Sequence, residues 1–479
     1  MTARRACPPA VGPLEGYAAR FDELFASLAQ RRGFREYLTG LLLPRERNKT
    51  LTALAGAEPV AGAQHPAVQR LQFFLSESTW DAEKINTRRL ELLAADPATA
   101  SHADGVLVVD DSGDRKDGHA TAHVARQYLG SVGKTDNGIV TVTTLWADER
   151  VYYPLHAAPY TPARRLPGGK NDPKFVTKPQ LAADLVGRAR AAGVAFAAVV
   201  ADCLYGPSET TTLIGALTRA GLPYVLAVKP HMGVWARQDE PHTPIEAAAA
   251  AGWRSRRRPG GWRQVTRRFR DGHTETWWAA DATLGAWAPD RQIRLVVATT
   301  DPATLPERST WYLVTNRPRP GSPQATGSSL PPADLAEIVR CYGLRMWVEQ
   351  GYKQVKQELG WADFQVRSDI AIRRHYTLVC CAFSFCWQAN PPPPAGAPDT
   401  TRQKRGHPYQ VHGGQTDADA PLAGYTPPHP QLADPSHTAA TLLASLVTRA
   451  PTTPTPGTAH RRHHRPSNPR LQPALTNHR

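Results

Sequence analysis

Two short apolar runs end in aspartate, and this feature limits the possible folds more than any other. The run GVLVVDD ends at Asp110 and Asp111, and the run GVAFAAVVAD ends at Asp202. Short apolar runs rich in valine predict buried strands. A carboxylate at the end of a buried strand is costly unless it has a cation partner. The pattern therefore predicts a mixed α/β core whose acids belong to a functional site.

The rest of the chain divides by composition into regions around this core. Helical spacing of apolar residues predicts a helical domain at 16–100, after a flexible leader at 1–15. The α/β region is predicted at 101–390, interrupted at 232–310 by a segment rich in Trp, Arg and Gly that we interpret as a β-rich insertion. Residues 391–479 are rich in Pro, Thr, His and Arg, which predicts a disordered tail.

A third acid lies in the stretch CYGLRMWVEQGYKQVKQELG. If this stretch is one helix, Tyr342, Arg345, Glu349 and Lys356 fall on one stripe beside an apolar stripe. Such a helix is often purely structural. With two aspartates at strand ends, however, Glu349 would complete a set of three carboxylates. Oxygen ligands of this kind suit Mg²⁺, and two such ions can support phosphodiester cleavage.

The charge of the chain also fits a polyanionic partner. Its 479 residues include 57 Lys and Arg against 42 acids, a formal charge of +15. Distributed basic charge suits DNA, although a solvated surface is the simpler alternative. Arg45, Arg47 and Lys49 would be exposed on the helical domain and grip DNA, unless that domain is only a structural bundle.

At this point the sequence resembles a known family. The spacing Y-x2-R-x3-E-x6-K, with VLVVDDSG and VVADCLYG before it, resembles the signature of insertion-sequence transposases of the DDE superfamily. The resemblance implies a ribonuclease-H-like mixed sheet flanked by helices and cut-and-paste transposition. It implies cleavage and strand transfer at transposon ends with two Mg²⁺ ions, or Mn²⁺ in their place. Double-stranded DNA would be the partner, bound by a dimer of the enzyme.

The resemblance also assigns roles to residues. Asp111, Asp202 and Glu349 would be the catalytic metal ligands, with Asp111 favoured over Asp110 because the family's ligand directly precedes a hydroxyl residue. Tyr342, Arg345 and Lys356 would position the DNA backbone.

Trp311 occupies a place similar to that of an aromatic residue that stacks on a flipped base in this family. Stacking of this kind is worth about 1–3 kcal/mol per base. The alternative for Trp311 is an ordinary core position beneath the insertion.

Two alternatives to a transposase stay open. One is a stand-alone metal-dependent nuclease, and the other is a domesticated DNA-binding protein without catalysis. The sequence shows no signal segment and no apolar run of the ~20 residues that span a bilayer. We therefore expect a cytoplasmic bacterial protein associated with the nucleoid and not with a membrane.

Overall fold

The computed structural model describes residues 6–44, 48–56, 64–202, 207–269 and 273–389. Arg45, Arg47 and the predicted tail at 391–479 lie outside these ranges. Twelve α-helices and ten strands are formed by the described residues. None of these helices is long and apolar enough to cross a membrane.

The first five helices form a bundle. Its second helix begins where Ser27 and Gln30 cap each other, each side chain accepting from the other's backbone N–H. Phe21, Phe34 and Phe74 are among the buried aromatic side chains of its core. The bounds are α1 Leu14–Ala18, α2 Leu28–Leu42, α3 Leu51–Leu54, α4 Pro66–Ser76 and α5 Ala82–Ala95.

Lys49 was expected to be exposed on this bundle, and that expectation is wrong. Its side chain is buried, and Nζ donates to the carbonyl oxygens of Gly40, Leu41 and Leu43 at the end of α2. The last carbonyls of a helix lack partners within the helix and attract a cation. Lys49 therefore terminates α2 and is not available to DNA.

One large mixed sheet forms the centre of the molecule. Its order is β2-β3-β1-β5-β6-β10-β9-β8-β7, with β4 also paired to β3. The strands β1, β5 and β6 are parallel to one another, and β1, β2 and β4 are antiparallel to β3. The bounds are β1 Val106–Arg115, β2 Ala125–Leu129, β3 Lys134–Ala147, β4 Tyr152–Pro159, β5 Ala198–Ala201, β6 Tyr224–Ala227, β7 Arg263–Arg268, β8 Thr274–Ala282, β9 Arg294–Thr299 and β10 Thr310–Thr315.

Strands of the predicted insertion extend this sheet. The strand β9 pairs with β10, and β8 and β7 follow outward, all antiparallel. The remaining helices flank the sheet. They are α6 Lys178–Ala191, α7 Pro207–Arg219, α8 Pro244–Ala250, α9 Pro323–Gly327, α10 Leu335–Gly343, α11 Met346–Gln357 and α12 Asp369–Ala389. The predicted fold class, a mixed sheet flanked by helices in the ribonuclease-H-like manner, is confirmed.

The helix α12 connects the two regions. Tyr37 Oη lies 2.8 Å from His375 Nδ1, and Arg89 Nη1 donates to Ser384 Oγ at 3.0 Å. Arg374 donates to the carbonyl oxygens of residues 75 and 80. Because α12 is packed by α2, α4 and α5, the N-terminal bundle is completed by a helix from the end of the α/β region.

Candidate active site

Strand register brings two aspartates together. Val109 of β1 is aligned with Ala201 of the parallel neighbour β5. The next residues in these strands are Asp110 and Asp202, and aligned residues of adjacent strands face the same side of a sheet. Both carboxylates therefore lie on one face, at the point where the parallel pairing of β1 with β5 ends, although β1 itself continues to Arg115.

Arg345 lies among the carboxylates on that face. Its Nη1 is 3.4 Å from Asp110 Oδ2 and 3.7 Å from Glu349 Oε1, and its Nη2 is 3.3 Å from Asp202 Oδ2. Burial of the Asp110 carboxyl, with the nearby charge of Asp202, raises the pKa of Asp110 well above its usual range despite Arg345. The guanidinium therefore supplies positive charge where two buried carboxylates meet. The Glu349 side chain is 70% exposed.

Asp111 faces elsewhere. The sequence analysis favoured Asp111 over Asp110 as the partner of Asp202, but the structure places Asp110 in that position. Asp111 Oδ2 accepts from Lys178 Nζ at 2.8 Å. Successive side chains of a strand point to opposite faces, and this alternation separates the two neighbouring acids.

The predicted single helix with four polar residues is divided in two. Tyr342 belongs to α10, and Arg345 caps α11, on which Glu349 and Lys356 lie. Backbone bonds from Arg345 to Tyr342 and from residue 348 to Arg345 span three residues, which marks a tighter turn between the helices. The sequence pattern missed this break, and the turn places Arg345 beside Asp110 and Asp202.

Lys356 contacts β1 a few residues beyond Asp110. Its Nζ is 2.6 Å from Asp114 Oδ1 and donates to the Gly113 carbonyl oxygen at 3.1 Å. Asp114 is buried within β1. The ion pair therefore attaches α11 to β1 and fixes the helix that carries Glu349.

Trp311 is half-buried in an aromatic cluster beside this site. Its ring centroid is 4.9 Å from that of Tyr342 and 4.4 Å from that of Trp277. The Arg267 guanidinium lies over Trp311, Trp277 and Phe269, at 4.8, 5.2 and 4.3 Å from the ring centroids. Burial lowers the pKa of Arg267 to about 10. Sequence reasoning did not identify Arg267 as the residue that covers Trp311.

Asp110, Asp202 and Glu349 together have the chemistry of a hard-cation site. They offer only oxygen donors, and they already surround a positive charge, that of Arg345. In the described part of the chain, no group of three or more His, Cys, Asp or Glu side chains is arranged to hold a metal ion. Asp110, Asp202 and Glu349 fit Mg²⁺ in donor type and charge, but Glu349 is turned toward solvent and the three carboxylates do not yet enclose an ion.

One sequence signal could have identified Asp110. The first acid after the apolar run is Asp110 in VLVVDD and Asp202 in AAVVAD. Because β1 and β5 pair in parallel from Val106 and Ala198, these two acids reach the same level. The contact of Lys178 with Asp111 had no such signal, because it depends on how α6 packs on the sheet.

Comparison with known proteins identifies the family of the chain. A profile of the DDE superfamily endonucleases matches residues 21–286. The chain therefore belongs to the DDE superfamily of endonucleases. A relative from Microchaete diplosiphon, a probable transposase for insertion sequence element IS701, is 32% identical over 392 residues, which cover 81% of this chain and 92% of the relative.

Proposed function

We propose that this protein is a cut-and-paste transposase that cleaves DNA at the ends of an insertion sequence and joins those ends to new DNA. The single observation that carries the proposal is the convergence of Asp110, Asp202 and Glu349 on one cation, the guanidinium of Arg345. Membership of the endonuclease superfamily and the transposase relative support it.

Asp110, Asp202 and Glu349 would hold two Mg²⁺ or Mn²⁺ ions, and Asp111 is the alternative ligand on β1. When bound, the ions would supply an activated water and stabilise the departing oxygen of the phosphodiester. Arg345 would move from the carboxylates to the DNA phosphates, to which guanidinium binds well. Tyr342 and Lys356 would position the backbone, Lys356 mainly by fixing α11 on β1.

A nuclease would share these acids, and a domesticated DNA-binding protein would not need them. Terminal inverted repeats around the gene and strand-transfer products would favour a transposase over both. We further propose that the protein acts as a dimer on double-stranded DNA of the bacterial nucleoid.

The test is cleavage of DNA that carries the ends of the element encoding the chain. Glu349→Ala should lose cleavage in Mg²⁺ and keep DNA binding, because the basic surface still meets the phosphates. Glu358→Ala, a carboxylate at the end of the same helix, is the matched control and should cut normally. Cutting at the normal rate by Glu349→Ala, or by the unaltered chain in chelator, would contradict the mechanism.

A further inference from the structure

The connection between β4 and α6, residues 160–177, forms a surface that the catalytic roles above do not use. We call it the basic loop. It contains Arg164, Arg165, Lys170 and Lys174 against the single acid Asp172. The distribution of its charge, its position and its rigidity together indicate what it binds.

Both ends of the basic loop lie at the edge of the sheet that carries the catalytic carboxylates. Pro159, the last residue of β4, is aligned with Thr141 of β3, which is aligned with Ser112 of β1. The last residue of β4 therefore lies two residues beyond the level of Asp110, and the loop starts at the next residue. It ends at Lys178, whose Nζ contacts Asp111.

The cations of the loop are directed to solvent. Arg164, Arg165, Lys170 and Lys174 are exposed, and none of them forms a salt bridge with any residue that the structure describes. Asp172 instead accepts from the backbone N–H groups of Gly168 and Lys174, and so shapes the turn. The loop thus offers four positive charges that can displace the counterions condensed on a polyanion such as DNA.

The loop is also held in place. His123 bridges Thr161 and Asp369, with 2.7 Å from Nδ1 to Thr161 Oγ1 and 2.7 Å from Nε2 to Asp369 Oδ1. Arg165 Nη2 donates to the Thr121 carbonyl oxygen at 3.5 Å. A surface that is ordered before binding loses little conformational entropy when it binds.

We propose that the basic loop binds backbone phosphates of the DNA duplex beside the cleaved bond, on the α6 side of the sheet. This inference rests on the proposed function, since it takes DNA as the substrate at Asp110. Phosphate is the ligand because the loop offers four exposed cations at the site edge. Binding there is independent of base sequence.

The experiment compares the salt dependence of DNA binding in full-length variants. One variant carries Arg164→Ala, Lys170→Ala and Lys174→Ala. The matched control carries three alanines at exposed arginines near the opposite ends of the strands, Arg190, Arg219 and Arg291. Arg190 lies about 18 Å along α6 from Lys178. Both variants lose the same net charge.

Kd for a fluorescent duplex of mixed sequence is measured in chelator at 50 to 200 mM salt. Each phosphate contact contributes about 0.9 to the steepness of log K against log salt. Because the loop variant lacks three cations, its slope should be smaller by about 2.7. Across that salt range the Kd of the unaltered chain should rise roughly 40-fold more than that of the loop variant. The matched control, with alanines at Arg190, Arg219 and Arg291, should keep nearly the whole slope.

Arg164→Lys with Lys170→Arg and Lys174→Arg keeps the charge and should keep the slope, and thermal melting checks that every variant is folded. Equal loss of slope in the loop variant and in the matched control would overturn the proposal, because net charge would then explain binding. An unchanged slope in the loop variant would also overturn it. Cleavage by the unaltered chain is measured separately, so that failure of the proposed function is distinguishable from failure of the loop proposal.

Discussion

At the scale of single residues, β1 presents two adjacent carboxylates with different partners. Asp110 shares the buried face with Asp202 and Arg345, whereas Asp111 pairs with Lys178. Loss of a metal ligand should reduce DNA cleavage more than loss of a residue that only supports the metal site. Substitution of each aspartate can therefore distinguish the two roles.

We predict that Asp110→Asn lowers DNA cleavage by more than about 100-fold, since losing a supporting residue of a metal site costs about 10–100-fold. Asp111→Asn should fall within that smaller range, because its carboxylate contacts Lys178 on the other face. Cleavage of end DNA in Mg²⁺, quantified for both variants beside the unaltered chain, makes the comparison. A larger loss for Asp111→Asn would restore Asp111 as the ligand.

Trp311 can be tested in the same way. We predict that Trp311→Ala permits the first nick and impairs the later hairpin or second-strand step, because an unstacked base loses its aromatic partner. Its stability should fall by less than the about 3–5 kcal/mol expected for a buried tryptophan such as Trp146.

Melting and strand-specific cleavage on the same Trp311→Ala protein decide between the two roles of this residue. Trp146→Ala serves as the control for a core cavity. A loss of stability as large as that of the control, with unchanged ratios of the cleavage steps, would leave Trp311 with a packing role only.

At the scale of elements, helix ends and helix packing determine stability. The carbonyl oxygens at the end of α2 are bound by Lys49. We predict that Lys49→Met lowers the free energy of unfolding by about 1–3 kcal/mol, because buried acceptors lose their donor. Urea unfolding measures this, and the exposed Lys84→Met should change little. Equal stability of the two variants would contradict a terminating role for Lys49.

Buried histidines predict how stability depends on pH. Burial lowers the pKa of His375 on α12 to about 4, with Lys116 adding to the shift. The unfolded chain, with an ordinary pKa of about 6.5, binds the proton more readily. Stability from neutral His375 is therefore complete above pH 6.5 and is lost as pH falls toward 4.

We predict that His375→Gln loses less stability than the unaltered chain between pH 6.5 and 4. Unfolding in denaturant at a series of pH values measures this difference. His231→Gln, at an exposed position, should follow the unaltered chain. Parallel stability curves for His375→Gln and the unaltered chain would contradict the assignment.

The same elements show how far sequence reasoning reaches. Local patterns predicted the buried strands that lead to Asp110 and Asp202, and they predicted helical structure around Glu349. They did not predict that β1 continues beyond its acids to Arg115. They did not predict the break near Arg345 or the burial of Lys49, because both depend on contacts with distant parts of the chain. The choice between Asp110 and Asp111 likewise required the register between β1 and β5, and local sequence patterns do not specify that register.

At the scale of the whole molecule, α12 at the end of the α/β region packs against α2, α4 and α5 of the N-terminal bundle. Because α12 completes the N-terminal bundle, we predict that a chain of residues 101–389 alone fails to fold. Its buried α12 side chains, among them Phe383 and Phe385, would lose the helices that cover them. Circular dichroism and calorimetry of this fragment, with the intact chain as control, test it. A cooperative melting transition in the fragment would contradict the prediction.

The position of α12 also has a consequence during synthesis. Domains usually fold as units while the ribosome is still extending the chain, N-terminal part first. Here the first helices must wait for residues 369–389, so the nascent N-terminal part remains incomplete until most of the message has been read. Translation that stops early yields a product without this closing helix. Such products would be substrates for proteases and would not compete with the complete protein.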